Sequence, residues 1–118
     1  MSCILDQTMI DTDQIDREIA TAERHLAEAA GDQSLCAIGR SGRPFPAVKY
    51  HEGAVASLAA LRSRLAAGDS LEDALAVARS KLTRLGALAE KSTDWEAYLE
   101  GGRAVIERIT ESIRSDSA

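Results

Sequence analysis

The sequence predicts an all-α protein, folded as an antiparallel, up-down-up-down four-helix bundle with one long loop between helices 1 and 2. Three observations favour this fold class. The 118 residues include twenty-one alanines, which are the best helix formers, and only two prolines, which are the worst. Apolar residues recur at every third or fourth position, as on one face of a helix. The β-branched and aromatic runs that strands favour are missing.

A single domain over 1–118 is expected, because this length suits one hydrophobic core. Residues 1–11 are expected to form an irregular lead-in. Helix 1 is predicted over about Thr12–Ala30, and Gly31 stops it. The loop over 31–46 holds both prolines, and loops of this length are often functional or mobile.

Helix 2 is predicted to begin near Pro46, which is tolerated in a first turn, and to end at Gly68. Ser70 then caps helix 3, whose apolar stripe is the most regular in the chain. That stripe runs through Leu71, Leu75, Ala78, Leu82, Leu85 and Ala89. Short connections favour antiparallel neighbours, which gives the up-down-up-down topology. A three-helix core with a loosely docked helix 1 is the alternative.

Helix 4 is predicted to start at a Thr93 cap, with Glu96 as its capping-box partner, and to end in a frayed tail over 115–118. Gly101 and Gly102 fall in its middle, where each glycine costs about 1 kcal/mol relative to alanine. Close approach of another backbone at Gly102, from a neighbouring helix or a second subunit, is one compensation, and a kink is the other. The sequence shows no convincing internal repeat.

Charge and cysteine content restrict the partners. The net charge of −5 disfavours contact with phosphate backbones, so no nucleic-acid partner is expected. The turn before helix 4 resembles a helix-turn-helix, but that helix begins with Asp94 and Glu96, where a DNA reader needs basic groups. Cys3 and Cys36 lack the spacing of a metal site or a disulfide framework, which favours a reducing cytoplasm. We expect no cofactor, no metal, no secretory signal and no membrane span.

The chemically distinctive residues gather at one predicted end of the bundle, where helices 2 and 4 start and helix 1 ends. His51 interrupts the apolar stripe of helix 2, and burial there would shift its pKa. The candidate ligand-binding residues are Arg40, Arg43, Lys49, Tyr50, His51, Glu52, Trp95 and Tyr98. The plainer interpretation is that the aromatics plug this end and that the histidine only hydrogen-bonds a neighbour.

The sequence favours a small non-enzymatic interaction or regulatory protein that acts through protein–protein contacts and self-associates, with a homodimer expected. This expectation rests on the alanine-rich helices and on the lack of a recognisable catalytic set of residues. The alternative is a small-ligand or enzymatic site at the aromatic end that recognises an anionic metabolite, through a helix N-terminus and nearby basic side chains. An enzyme is the less favoured expectation.

Overall fold

The computed structural model describes the backbone of residues 2–31, 46–88 and 92–117, and the side chains of 12–31, 46–87 and 92–113. Within these ranges the chain is all-α and contains no strand. The four described helices are α1 (Ser2–Ala30), α2 (Pro46–Ala66), α3 (Leu71–Leu88) and α4 (Thr93–Ser117). The predicted fold class is confirmed. Residues 32–45, most of the predicted long loop, lie outside the described residues.

Side-chain pairs between α1 and α2 give the direction of these two helices. The guanidinium of Arg62 lies 2.7 Å from the carboxylate of Asp16, whereas the imidazoles of His25 and His51 face each other further along. Residue numbers therefore rise along α1 as they fall along α2, so these helices are antiparallel.

The same test applies to α3 and α4. Arg79 lies 3.5 Å from Glu107, and Gly86 lies beside Leu99, so this pair is also antiparallel. Because a tight turn at Gly68 reverses the chain between α2 and α3, the topology is up-down-up-down, as predicted.

The helices do not form a regular square. α2 and α4, which run parallel, cross in close contact at the centre, while α1 packs on α2, and α3 packs on both α2 and α4. Ile15 and Ala22 fix α1 to the core, since they are 1% and 5% exposed. The alternative prediction, a three-helix core with a loosely docked helix 1, is therefore wrong.

The core is continuous along the central pair of helices. Its fully buried side chains include Leu58 and Leu61 of α2 and Ile106 of α4. Leucine and isoleucine at these positions each remove a full side chain from water, which stabilises the fold by roughly 1.5–3 kcal/mol per residue. No described helix combines the length and the apolar character needed to cross a membrane.

Two helix boundaries differ from those predicted. α1 begins at Ser2 rather than near Thr12, because the segment 2–11 contains no glycine or proline that would stop a helix. α4 continues to Ser117, so that 115–117 is helical rather than frayed. Ala118 lies outside the described residues.

One of the two predicted serine or threonine caps is displaced. Ser70 caps α3 as predicted, because its Oγ accepts the backbone N–H of Asp73 at 3.1 Å. The cap of α4 is Ser92 and not Thr93, since the Oγ of Ser92 accepts the N–H of Trp95 at 3.1 Å. Adjacent hydroxyl residues compete for this role, and the sequence pattern favoured the wrong one.

Candidate functional site

The site is positioned by a close crossing of α2 and α4. A Cβ atom at Gly53 would lie 2.7 Å from the carbonyl carbon of Tyr98, and a Cβ at Gly101 would lie 2.7 Å from that of Tyr50. Real Cβ atoms do not approach a backbone this closely, so both positions require glycine. Of the two mid-helix glycines of α4, the one that meets another backbone is Gly101, and the prediction that it is Gly102 is wrong.

This reciprocal contact coincides with an internal repeat, so the expectation that the chain has none is wrong. Tyr50–Gly53 and Tyr98–Gly101 both read Tyr-x-Glu-Gly. When α2 and α4 are aligned on this pattern, their core residues coincide. The aligned core pairs are Leu58 with Ile106, Leu61 with Ile109, and Leu65 with Ile113.

α1 and α3 are related in the same way. Ile15 and Ala22, the buried residues of α1, have the spacing of Leu75 and Leu82 of α3. The chain therefore consists of two similar helical hairpins, α1–α2 and α3–α4, related by a pseudo-two-fold axis that passes between the two glycines. We call residues at matching positions counterparts.

Two clefts flank the central pair of helices, and both hairpins contribute residues to each cleft. The first, which we call the polar cleft, lies between α1, α2 and α4 and encloses about 610 Å³, including the solvent at its mouth. Its polar lining consists of Glu18, Thr21, His25, Tyr50, His51 and Arg108. Four small apolar residues, Ala22, Ala54, Ala104 and Val105, complete it.

The second, which we call the apolar cleft, lies between α2, α3 and α4 and encloses about 310 Å³. It is lined by Ala56, Ser57, Ala60, Ala78, Lys81, Leu82, Leu85 and Tyr98. Every one of these residues is the counterpart of a residue that lines the polar cleft. The two clefts therefore occupy equivalent positions in the two halves of the molecule, but their linings differ in chemistry.

The counterparts show what distinguishes the polar cleft. His25 corresponds to Leu85 and His51 to Leu99; Leu99 is buried in the hydrophobic core, and Leu85 is partly buried and packs against it. Glu18 and Arg108 correspond to alanines of the apolar cleft. Leu82 partly fills the second cleft, whereas its counterpart in the first is only Ala22, and this difference agrees with the larger volume of the polar cleft.

The two imidazoles are the chemical centre of the polar cleft. The ring centroids of His25 and His51 are 5.5 Å apart and the planes are tilted by 56°. Burial lowers the pKa of His51 from its ordinary value, and the positive charge of His25 lowers it further. The carboxylate of Glu28 acts in the opposite direction. The neutral form of His51 is therefore favoured in the free protein.

Other side chains fix the geometry around the imidazoles. The ring of Tyr50 meets that of His51 edge to face, with centroids 5.4 Å apart. Arg108 donates a hydrogen bond to the carboxylate of Glu18 across the mouth of the cleft, so these two charges balance each other. Among the described residues, no group of three or more histidine, cysteine, aspartate or glutamate side chains could hold a metal ion.

The predicted site residues divide among several places. Tyr50 and His51 line the polar cleft. Lys49 and Glu52 pair with each other at 3.1 Å and do not line it. Arg40 and Arg43 lie outside the described residues.

The remaining predicted residues belong to the other hairpin. Tyr98 lines the apolar cleft, and Trp95 stacks on it with ring centroids 5.3 Å apart and planes within 4°. Trp95 Nε1 is buried without a hydrogen-bond partner in the described part of the chain. The structure therefore separates Trp95 and Tyr98 from Tyr50 and His51.

Four polar cleft residues were absent from the predicted set. Glu18, Thr21 and His25 share one face of α1 at helical spacing, a signal that the sequence does contain. No sequence spacing marks Arg108 as a cleft residue. It reaches the cleft because α4 packs beside α1. No protein-family model, no curated protein and no solved structure matches this chain.

Proposed function

We propose that this protein is a small helical binding protein, without catalytic activity of its own, that holds a small anionic ligand in the polar cleft. The main support is a difference between the two hairpins at two equivalent positions. Where one hairpin places Leu85 and Leu99, the other places His25 and His51, whose rings lie next to each other in the lining of an open cleft.

The α3–α4 hairpin shows whether packing alone requires histidine at these two positions. Leucine satisfies the packing at these positions in the α3–α4 hairpin, so the fold itself does not call for imidazoles there. His51 is half-buried, whereas His25 is exposed, and a polar group in a half-buried position costs free energy unless it finds a partner. A ligand that accepts hydrogen bonds from the two rings would supply that partner.

The available hydrogen-bond donors favour an anion. Imidazole N–H groups and the hydroxyl groups of Tyr50 and Thr21 can all donate to a carboxylate or phosphate oxygen. Because Arg108 and Glu18 neutralise each other, protonation of the histidines would leave a positive charge that a ligand could balance.

Protein–protein contact, with self-association, receives less support. Among the described side chains, the exposed large hydrophobic residue is Val77, at 41% exposure. Stable interfaces usually have an apolar centre formed by several such side chains. A homodimer therefore stays a hypothesis. The cytoplasmic location likewise rests only on the unpatterned cysteines, Cys3 and Cys36.

Thermal unfolding in phosphate, sulfate or succinate near pH 6 tests the proposal. The wild type should be stabilised more than a His25→Leu/His51→Leu variant, which copies the other hairpin. Comparison with this variant removes the general stabilising effect of such salts. Helicity by circular dichroism should be unchanged.

The matched control is Lys81→Gln, which removes a cation from the counterpart cleft and should keep the full anion effect. Equal stabilisation of the wild type and the double leucine variant would refute anion binding in the polar cleft. So would loss of the effect in Lys81→Gln alone.

A further inference from the structure

We infer that the polar cleft binds a compact dianion together with protons, so that one doubly charged ligand contacts the imidazolium forms of both His25 and His51. This inference rests on the proposed function and names the ligand charge and the regulation of the same site. The shared chemistry is that of a phosphate group or a short dicarboxylate.

The geometry brings the two rings close enough for one small ligand to contact both. Their centroids are 5.5 Å apart, on α1 and α2, and both line the same cleft. Two imidazolium ions at this distance repel each other; burial is the larger cause of the lowered pKa of His51, and this repulsion adds to it. An anion in the cleft that contacts both rings adds an attraction to each of them and offsets the repulsion.

Most other charged groups around His51 are paired with each other, so the protonation of His25 and His51 determines the net charge of the cleft. From α1 it is faced by His25, Glu28 and Glu18, from α4 by Arg108, and within α2 by Tyr50 and the Lys49–Glu52 pair. Arg108 is paired with Glu18, and Lys49 with Glu52. Of these groups, Glu28 is the one whose charge opposes the lowering of the His51 pKa.

Charge balance then indicates a dianion. When both imidazoles are neutral, the residues lining the cleft carry one positive and one negative charge, which cancel. When both are protonated, the lining carries two positive charges that no carboxylate of the lining compensates; Glu28 lies outside the lining and acts on His51 more weakly than burial and His25 do. A monoanion balances one of them, whereas a dianion balances both, and binding of the dianion therefore draws protons from solution.

Sulfate is the probe of choice, because it stays a dianion across the pH range in which imidazoles titrate. Isothermal titration of the full chain with sodium sulfate, in buffers of different ionisation enthalpy, gives both affinity and proton uptake. We expect proton uptake near neutral pH and an affinity that falls at least about tenfold per pH unit above pH 7. Nitrate and acetate, which are monoanions, should bind at least about tenfold more weakly.

Two further arms sharpen the test. His51→Gln should retain weak sulfate binding with a shallower pH dependence, because one proton is no longer taken up. Phenyl phosphate and malonate, compared at pH 6, distinguish a phosphate ligand from a dicarboxylate.

Sulfate binding at the polar cleft without proton uptake, or with the same affinity from pH 5 to pH 8, would overturn this inference and leave the proposed function standing. Equal binding of nitrate and sulfate would also overturn it. Failure of all these anions to bind at any pH would overturn both.

Discussion

Gly53 and Gly101 occupy equivalent positions on α2 and α4, and each lies against the backbone of the helix that carries the other. A Cβ at either position would come within 2.7 Å of the carbonyl carbon of a tyrosine, Tyr98 for Gly53 and Tyr50 for Gly101. This reciprocal contact brings the two central helices together, and the clefts open on either side of it.

Alanine at Gly53 or Gly101 should destabilise the protein. The gain in helix propensity is about 1 kcal/mol, but overpacking against a backbone usually costs about 1–3 kcal/mol and the contact here is severe. We expect a net loss of roughly 2 kcal/mol or more in urea unfolding. The control is Gly86→Ala in α3, whose Cβ would meet the flexible Arg103 side chain at 3.4 Å and should leave stability unchanged or slightly higher. Similar behaviour of all three variants would contradict a backbone crossing.

Substitutions at Gly102 and Leu82 should have non-additive effects on the free energy of unfolding. A Cβ at Gly102 would lie 2.9 Å from a Leu82 methyl group and 2.7 Å from Ser57 Oγ. In the other hairpin the counterparts are both alanines. Gly102→Ala should therefore cost about 1–3 kcal/mol by itself, and clearly less in a Leu82→Ala background. Additive effects in a double-mutant cycle of unfolding free energies would count against this pairing.

The cap of α4 can be tested by alanine substitution. Ser92→Ala removes the acceptor of the Trp95 N–H and should lower the free energy of unfolding by about 1 kcal/mol. Thr93→Ala, one residue later, replaces an exposed side chain inside the first turn and should change stability by less than about 0.5 kcal/mol. Urea unfolding of the two variants distinguishes them, and the reverse order of effects would restore Thr93 as the cap.

His51 should make stability depend on pH. Its pKa is lower in the folded protein than the ordinary 6.5, so the unfolded chain binds this proton more readily. The free energy of unfolding should therefore fall as the pH drops below about 6.5, in dilute buffer without dianions. His51→Leu should show a smaller fall over the same range in urea titrations from pH 7.5 to pH 5. A fall of the same size in both proteins would show that another group is responsible.

Much of the fold was predictable because it depends on local patterns. The apolar stripe of α3, the stop at Gly31 and the cap at Ser70 each express a preference of a few neighbouring residues. The structure confirms the stop, the cap and the stripe as far as Leu85, whereas Ala89 lies outside the described residues. The choices between neighbours, Ser92 over Thr93 and Gly101 over Gly102, depend on small differences in helix phase, which the sequence pattern does not resolve.

The polar cleft was only partly predictable. His51 and Tyr50 were found because they stand out within α2, but Glu18 and Arg108 come from helices whose relative register is fixed by packing. The Tyr-x-Glu-Gly repeat is only four residues long and acquires meaning when the two glycines are seen to cross. The contrast between His25 and Leu85 follows from that crossing.

The most direct test of the account is an NMR titration of the imidazole nitrogens with sulfate at pH 6. The chain contains two histidines, so the spectrum reports only on His25 and His51. We predict that the signals of both rings move together toward the protonated form and saturate at one sulfate per chain. Signals that stay unchanged, or that drift without saturation, would contradict a ligand site in the polar cleft.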